Sequence, residues 1–222
     1  QARKARMQDQ QSGACETVLL TNDGGALCGF MGHLMRTNDI TSDYPLWYSV
    51  YDVAIMKMER DRLHPSTIVG VLGSNSAAGY QITSTGFRGY IVSTDEGRTW
   101  ETRDIMMKPG NAAGALATRF YMASRGVYKS GPLMAMKGIA SSGPEHNTII
   151  SHDDGVTWTP HDLPVPIAYP HNIIVGTRGH DGIDYVFVQA PSRDVRQHSV
   201  WRYNASSRTW ADVLPVSFAR GL

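Results

Sequence analysis

Eight positions recur in the chain as Ser-x-Asp-x-Gly-x-Thr-Trp, first over Ser93–Trp100 and again over Ser151–Trp158. Each copy sets a carboxylate between two hydroxyls and adds a second acid, in the pairs Asp95-Glu96 and Asp153-Asp154. Clustered oxygens of this kind are the raw material of a calcium loop. Such a loop, however, spaces several carboxylates along the chain and closes them with a Glu, and neither octet does so. A second cluster, His171, His180, Asp181 and Asp184, has metal-ligating side chains. It lacks His-x-x-x-His or His-Glu-x-x-His spacing, so turn and strand-edge positions are its plainer reading. No metal and no cofactor is expected.

The octets can be explained as carpentry. An Asp in a tight turn accepts hydrogen bonds from the turn's own N–H groups. Gly supplies a positive φ. The hydroxyls tie the two sides together, and Trp covers the hairpin with about 150–250 Å² of apolar surface. Every residue type has a structural task that needs no substrate.

Elements to carry such turns are written along most of the chain. Residues 1–15, opening "QARKARMQDQQ", form a polar arm without an apolar face or an h-region. From residue 16 short β-type runs alternate with turns: 16–21, 47–58, 66–74, 89–94, 119–124, 133–140, 147–151, 171–177, 184–190 and 199–204. The window 115–127 is ambiguous between helix and strand. Asp95 and Asp153 are 58 residues apart, and two decayed copies extend the series. "YNASSRTW" (203–210) keeps Thr-Trp, and "TNDGGALC" (21–28) keeps Thr, Asp and Gly. With three or four apolar runs per interval, the repeat reads as a four-stranded unit whose third and fourth strands are joined by the octet.

Composition agrees with an all-β chain. Of 222 residues 22 are Gly, and 18% are charged. The 21 Lys+Arg nearly balance 20 Asp+Glu, so no bulk attraction to nucleic acid or an anionic membrane is expected. No apolar stretch approaches the ~18 residues of a membrane helix, so no membrane insertion is expected. Cys15 and Cys28 stand outside any metal motif. Two free buried thiols are their plainer reading and a bridge the alternative. The Asn-Ala-Ser triplet at Asn204 is an acceptor pattern for glycosylation that arises often by chance.

Both octets match all five signature positions of the Asp box, or BNR repeat, which identifies the chain by resemblance with the sialidase superfamily of β-propellers. The matching residues are Ser93, Asp95, Gly97, Thr99 and Trp100, then Ser151, Asp153, Gly155, Thr157 and Trp158. The resemblance spans residues 16–218 and implies a propeller of four-stranded antiparallel blades, with the boxes away from the substrate face. At 50–58 residues per blade, 16–222 holds about four blades. The resemblance therefore implies a small closed ring, a piece of a larger propeller, or a protomer that completes its ring in a homo- or hetero-oligomer; a piece or an assembly partner is favoured over the closed ring.

A sialidase also implies three arginines gripping a carboxylate, a Tyr–Glu nucleophile and an Asp acid/base. The expected Phe/Tyr-Arg-Ile-Pro stretch is missing; "GFRGY" (86–90) and "SFARGL" (217–222) keep only the Arg. Arg88, Arg119, Arg125, Arg178 and Arg202 are scattered, as surface arginines are. Glu145, in the loop-like "SSGPEHN", is the candidate base, with Tyr121, Tyr128 or Tyr185 beside it. The catalytic candidates are thus Glu145, Tyr185, Arg88 and Arg119. The function expected is a non-catalytic propeller module of a secreted, surface or virion assembly, tail- or adhesin-like, that binds a glycan or protein surface. The alternative is a fragment of a sialidase-type glycoside hydrolase.

Overall fold

The computed structural model describes residue 15 and residues 17–30, 33–52, 55–72, 89–104, 126–137, 148–163, 174–191 and 198–213. The described residues form sixteen strands in four four-stranded antiparallel sheets, each in simple sequential order. This up-and-down meander is the build of a propeller blade. The strands divide between two compact units, β1–β8 and β9–β16.

In the first unit one sheet is β1 (Thr17–Leu20), β2 (Ala26–Phe30), β3 (His33–Thr37) and β4 (Tyr48–Tyr51). The other is β5 (Ile55–Arg60), β6 (Ile68–Leu72), β7 (Gly89–Ser93) and β8 (Glu101–Asp104). Because side chains alternate across a strand, each sheet offers one row to the other. Leu27 and Leu34 meet Ile55, Met58, Ile68 and Ile91, with Leu19, Val50 and Trp100 at the margin. The run 47–58, read as one strand, divides into β4 and β5 in different sheets, which lets the chain pass from one sheet to the next.

The second unit repeats the plan. One sheet is β9 (Gly126–Ser130), β10 (Leu133–Lys137), β11 (Thr148–Ser151) and β12 (Thr159–Pro160). The other is β13 (Ile174–Arg178), β14 (Asp184–Pro191), β15 (His198–Asn204) and β16 (Thr209–Asp212). Tyr128, Ala135 and Ile150 pack against Ile174, Val186, Val188, Trp201 and Tyr203. Gly176 is a packing requirement, because a Cβ there would lie 2.3 Å from the Tyr128 ring.

Two expectations are corrected. Cys15 and Cys28 are not free thiols but a disulfide, with Cα atoms 5.9 Å apart. The β1–β2 hairpin folds their 13-residue separation back on itself and brings the pair within bridging reach. Asp23 does not sit at a third-to-fourth-strand turn, since its "TNDGGALC" stretch joins β1 to β2. The corresponding turn of the first sheet begins at Thr37. There Thr41 donates to Asp39 Oδ1 from its amide at 2.9 Å and from its hydroxyl at 2.6 Å. Asp39 lies 56 residues before Asp95 (95 less 39), close to the 58 that separate the octets. Apart from Cys15, the expected N-terminal arm and the run 119–124 lie outside the described residues.

Candidate functional site

Both octets occupy the turn between the third and fourth strands of their sheets, β7–β8 and β11–β12. In the first, the Ser93 hydroxyl donates to Asp95 Oδ1 at 2.8 Å and accepts from the Gly97 amide at 2.8 Å. Asp95 Oδ1 also accepts from the amides of Arg98 (3.1 Å) and Thr99 (2.9 Å), while Oδ2 takes the Thr99 hydroxyl at 2.6 Å. Trp100 Nε1 donates to the Gly97 carbonyl at 3.1 Å. The second copy repeats this. Ser151 donates to Asp153 at 2.7 Å, Thr157 donates to Asp153 from both its amide (2.8 Å) and its hydroxyl, and Trp158 Nε1 reaches the Gly155 carbonyl at 3.1 Å.

Two successive left-handed residues close each turn: Glu96 and Gly97 at φ 61° and 79°, Asp154 and Gly155 at 59° and 81°. Gly97 is doubly constrained, because a Cβ there would also stand 2.5 Å from Leu27 Cδ1. Burial works against the charge on Asp95. The Thr99 hydroxyl and amide, the Ser93 hydroxyl and the Arg98 amide outweigh it and hold its carboxyl below the usual range.

The first unit carries a charge cluster that sequence reading missed. Arg36 is 1% exposed; its Nη2 pairs with Asp23 at 2.7 Å and its Nε donates to the Glu96 carbonyl at 3.4 Å. Asp23 also pairs with Arg98. The Glu96 carboxylate accepts from Arg60 at 2.8 Å and from the Asn22 side chain at 2.8 Å. The cluster ties the first octet to the β1–β2 turn of the neighbouring sheet. Its one sequence signal was Arg36 within the largely apolar strand "HLMRT", where a buried charge needs a partner. The Thr21 hydroxyl helps most to hold the Asp23 carboxyl low, against burial and together with Arg36 and Arg98. Burial works against the Glu96 charge too, yet Arg60 and Asn22 keep its carboxyl low.

Of the catalytic candidates, Glu145, Arg88 and Arg119 lie outside the described residues, as do Arg125, Tyr121 and His171. Tyr185 is described, on β14. Its hydroxyl donates to Asp181 Oδ2 at 2.7 Å, and the Arg202 guanidinium lies 5.1 Å over its ring. The hydrogen bond to Asp181 pushes the Tyr185 phenol up, as do desolvation and the Asp181 charge, against a smaller pull from Arg202. That is the opposite of what a tyrosine nucleophile requires. Tyr128 is buried, and its hydroxyl meets Asp184 at 3.4 Å; Asp184 also takes the Ser130 hydroxyl at 2.9 Å and lies 3.8 Å from Arg178. Asp184 and Asp181 are thus engaged in separate contacts. Among the described residues no three His, Cys, Asp or Glu side chains are placed to share a metal ion.

Among the described residues of the second unit, one face of β13–β16 is open to solvent. Registered rows place Val175, Phe187, Arg202 and Ala211 side by side, then Thr177, Tyr185, Asn204 and Thr209. Val175 is 53% exposed, and Tyr185 and Phe187 are half-buried. A flat row of aromatics, an aliphatic and an arginine can bind a surface; it has no general base among these residues.

No protein-family model matches the chain, and no curated protein does. Among solved structures, an ancestral GH74 enzyme is 15% identical, with a TM-score of 0.48, over 88% of this chain and 25% of its own. The GH74 xyloglucanase from Xanthomonas campestris is 14% identical, with a TM-score of 0.48, over 90% of this chain and 31% of its own. The extracellular domain of a hybrid two-component system from B. thetaiotaomicron is 9% identical, with a TM-score of 0.37, over 91% and 29%. The chain thus spans a quarter to a third of the length of the structures it resembles.

Proposed function

We propose that the chain is a non-catalytic β-propeller module that presents a rigid surface to a glycan or a protein, and that its two octets are Asp boxes of the sialidase type. The observation that carries this reading is where the octet carboxylates point. Asp95 and Asp153 are each engaged by a Ser hydroxyl, a Thr hydroxyl and turn amides. The open face of β13–β16 is suited to contact, with aromatic and apolar side chains on strands. Tyr185, the described catalytic candidate, has a phenol whose proton is held rather than released.

An extracellular, cell-surface or virion setting fits the Cys15–Cys28 bridge, since disulfides persist in oxidising compartments. No helix among the described residues is long and apolar enough to cross a membrane.

The test pairs a fluorogenic sialoside assay with a glycan array. The expected result is no turnover, with array binding that weakens on Tyr185→Ala. Turnover abolished by Tyr185→Phe overturns the proposal in favour of a hydrolase. An array without hits removes the sugar ligand and leaves the protein surface.

A further inference from the structure

The turn that joins β15 to β16 carries the decayed octet 203–210, and it is held differently from the two intact turns. Where the octets have Asp95 and Asp153, it has Ala205. The residue before takes over their work. Asn204 Oδ1 accepts from the amides of Ser206 at 2.8 Å and Ser207 at 3.0 Å, and the Asn204 carbonyl accepts from the Arg208 amide at 2.8 Å. A turn closed through a side-chain carbonyl in this way is an Asx turn. Exchanging carboxylate for amide has a consequence. Both oxygens of Asp95 and of Asp153 are engaged inside their turns. Asn204 uses Oδ1 alone, and its Nδ2 has no hydrogen-bond partner among the described residues. The neighbouring hydroxyls divide likewise. Ser207 Oγ lies 2.8 Å from Thr209 Oγ1, whereas Ser206 Oγ has no partner among the described residues. Ser206, Ser207 and Arg208 are exposed.

We propose that Asn204 is a modification site, the acceptor of an N-linked oligosaccharide. Asn204-Ala205-Ser206 is the one Asn-x-Ser/Thr triplet of the chain. Chance alone produces such triplets, but the fold adds what chance does not. The triplet lies in a surface turn, the amide nitrogen that would react takes no part in closing that turn, and the hydroxyl at the third position is unengaged. The Cys15–Cys28 bridge fits the oxidising compartment in which such a transfer takes place. The donor class is an oligosaccharide carried on a lipid diphosphate. A bond forms between Asn204 Nδ2 and the anomeric carbon of the first sugar, and the bond from that carbon to the diphosphate oxygen breaks. One amide proton passes to a base of the transferase, the lipid diphosphate leaves, and nothing is oxidised or reduced. The Asx turn survives the change, because Oδ1 is untouched. The inference goes beyond the proposed binding function and does not depend on that function being right.

Expression of the full chain behind a cleavable secretion signal in a eukaryotic cell tests this, with intact mass read on both the secreted and the cell-retained protein. The wild type is expected to be heavier than its sequence. Peptide N-glycosidase is expected to remove the excess and to leave Asp in place of Asn at position 204. Ser206→Thr is expected to keep the added mass and Ser206→Ala to lose it. Ser206→Ala deletes an exposed hydroxyl and retains the amide that holds Asn204, so its circular dichroism is expected to match that of the wild type. Asn204→Asp keeps an acceptor for the turn but removes the nitrogen, and is likewise expected to lose the added mass. A wild type of unmodified mass overturns the inference and leaves Asn204 as a turn-closing residue, whatever the array test above shows. A Ser206→Ala variant that retains the excess also overturns it, because the sugar would then be attached elsewhere.

Discussion

At the scale of single residues, Asp153 and Trp158 divide the work of the second octet between polar and apolar terms. Asp153→Ala removes the acceptor for the Thr157 amide and hydroxyl and for the Ser151 hydroxyl. Leaving such donors without their partner costs about 1–3 kcal/mol. Trp158 is fully buried, so Trp158→Ala adds a cavity to the lost transfer energy and costs about 3–5 kcal/mol. Thermal melts of the two variants are expected to rank in that order, each keeping whatever ligand affinity the folded wild type has. A variant that loses affinity at an unchanged midpoint would place the octet at the ligand instead. Gly97 is the third sensitive position. At φ 79° and against Leu27, it meets both the left-handed penalty of about 1–2 kcal/mol and a packing conflict when replaced by Ala.

At the scale of elements, the sequence was most legible where one row of a strand had to be buried. The β6, β7, β11, β13, β14 and β15 segments carry Val, Ile, Tyr and Trp in alternating or continuous apolar runs, and their hairpins are announced by Gly and Asp. The strands read least well have other compositions: β3 carries the buried Arg36, β8 is "ETRD", and β12 holds two residues. Their pairing is decided by neighbours rather than by their own pattern. The false repeat at Asp23 has a similar origin. Its Thr-Asn-Asp-Gly string is a turn, and only the sheet order reveals that it joins first and second strands. The charge cluster was harder to read for a related reason: Asp23 meets Arg36, and Arg60 meets Glu96, only once distant strands of one sheet pair, and Asn22 and Arg36 reach Glu96 only when the two sheets pack. Arg36→Met tests the cluster. It removes the buried partner of Asp23 and of the Glu96 carbonyl; Asp23 keeps Arg98 and the Thr21 hydroxyl, so the loss is expected to be about 1–3 kcal/mol. A melting midpoint within a degree of wild type would mean that the pair is idle. Arg36→Met with Asp23→Asn is expected to recover part of the loss, as coupled neighbours do.

At the scale of the whole molecule, acid and alkali act on different groups. In the first unit, Asp23, Asp95 and Glu96 all have carboxyls held below their ordinary values of 3.8, 3.8 and 4.5. The unfolded chain therefore binds protons more readily than the folded one. Their contribution is complete above the ordinary values and is lost as pH falls through the depressed ones. Glu59 works in the reverse sense, because burial raises its carboxyl despite Arg62 and Lys57, so acid relieves rather than adds to its cost. In the second unit Tyr203, buried beside His152, His161 and Trp210, has its phenol pushed from 10.0 up to about 12 by burial, against a smaller pull from Arg208. Here the folded state holds its proton longer. That contribution, about 3 kcal/mol for a displacement of this size, is present below 10.0 and lost as pH rises towards about 12. Two substitutions separate the limbs in urea titrations across pH. Asp23→Asn is expected to flatten the acid limb and leave the alkaline one unchanged, while Tyr203→Phe does the converse. If Tyr203→Phe leaves the alkaline limb as steep as in wild type, the phenol does not resist ionisation and the buried cluster around it is not closed to water.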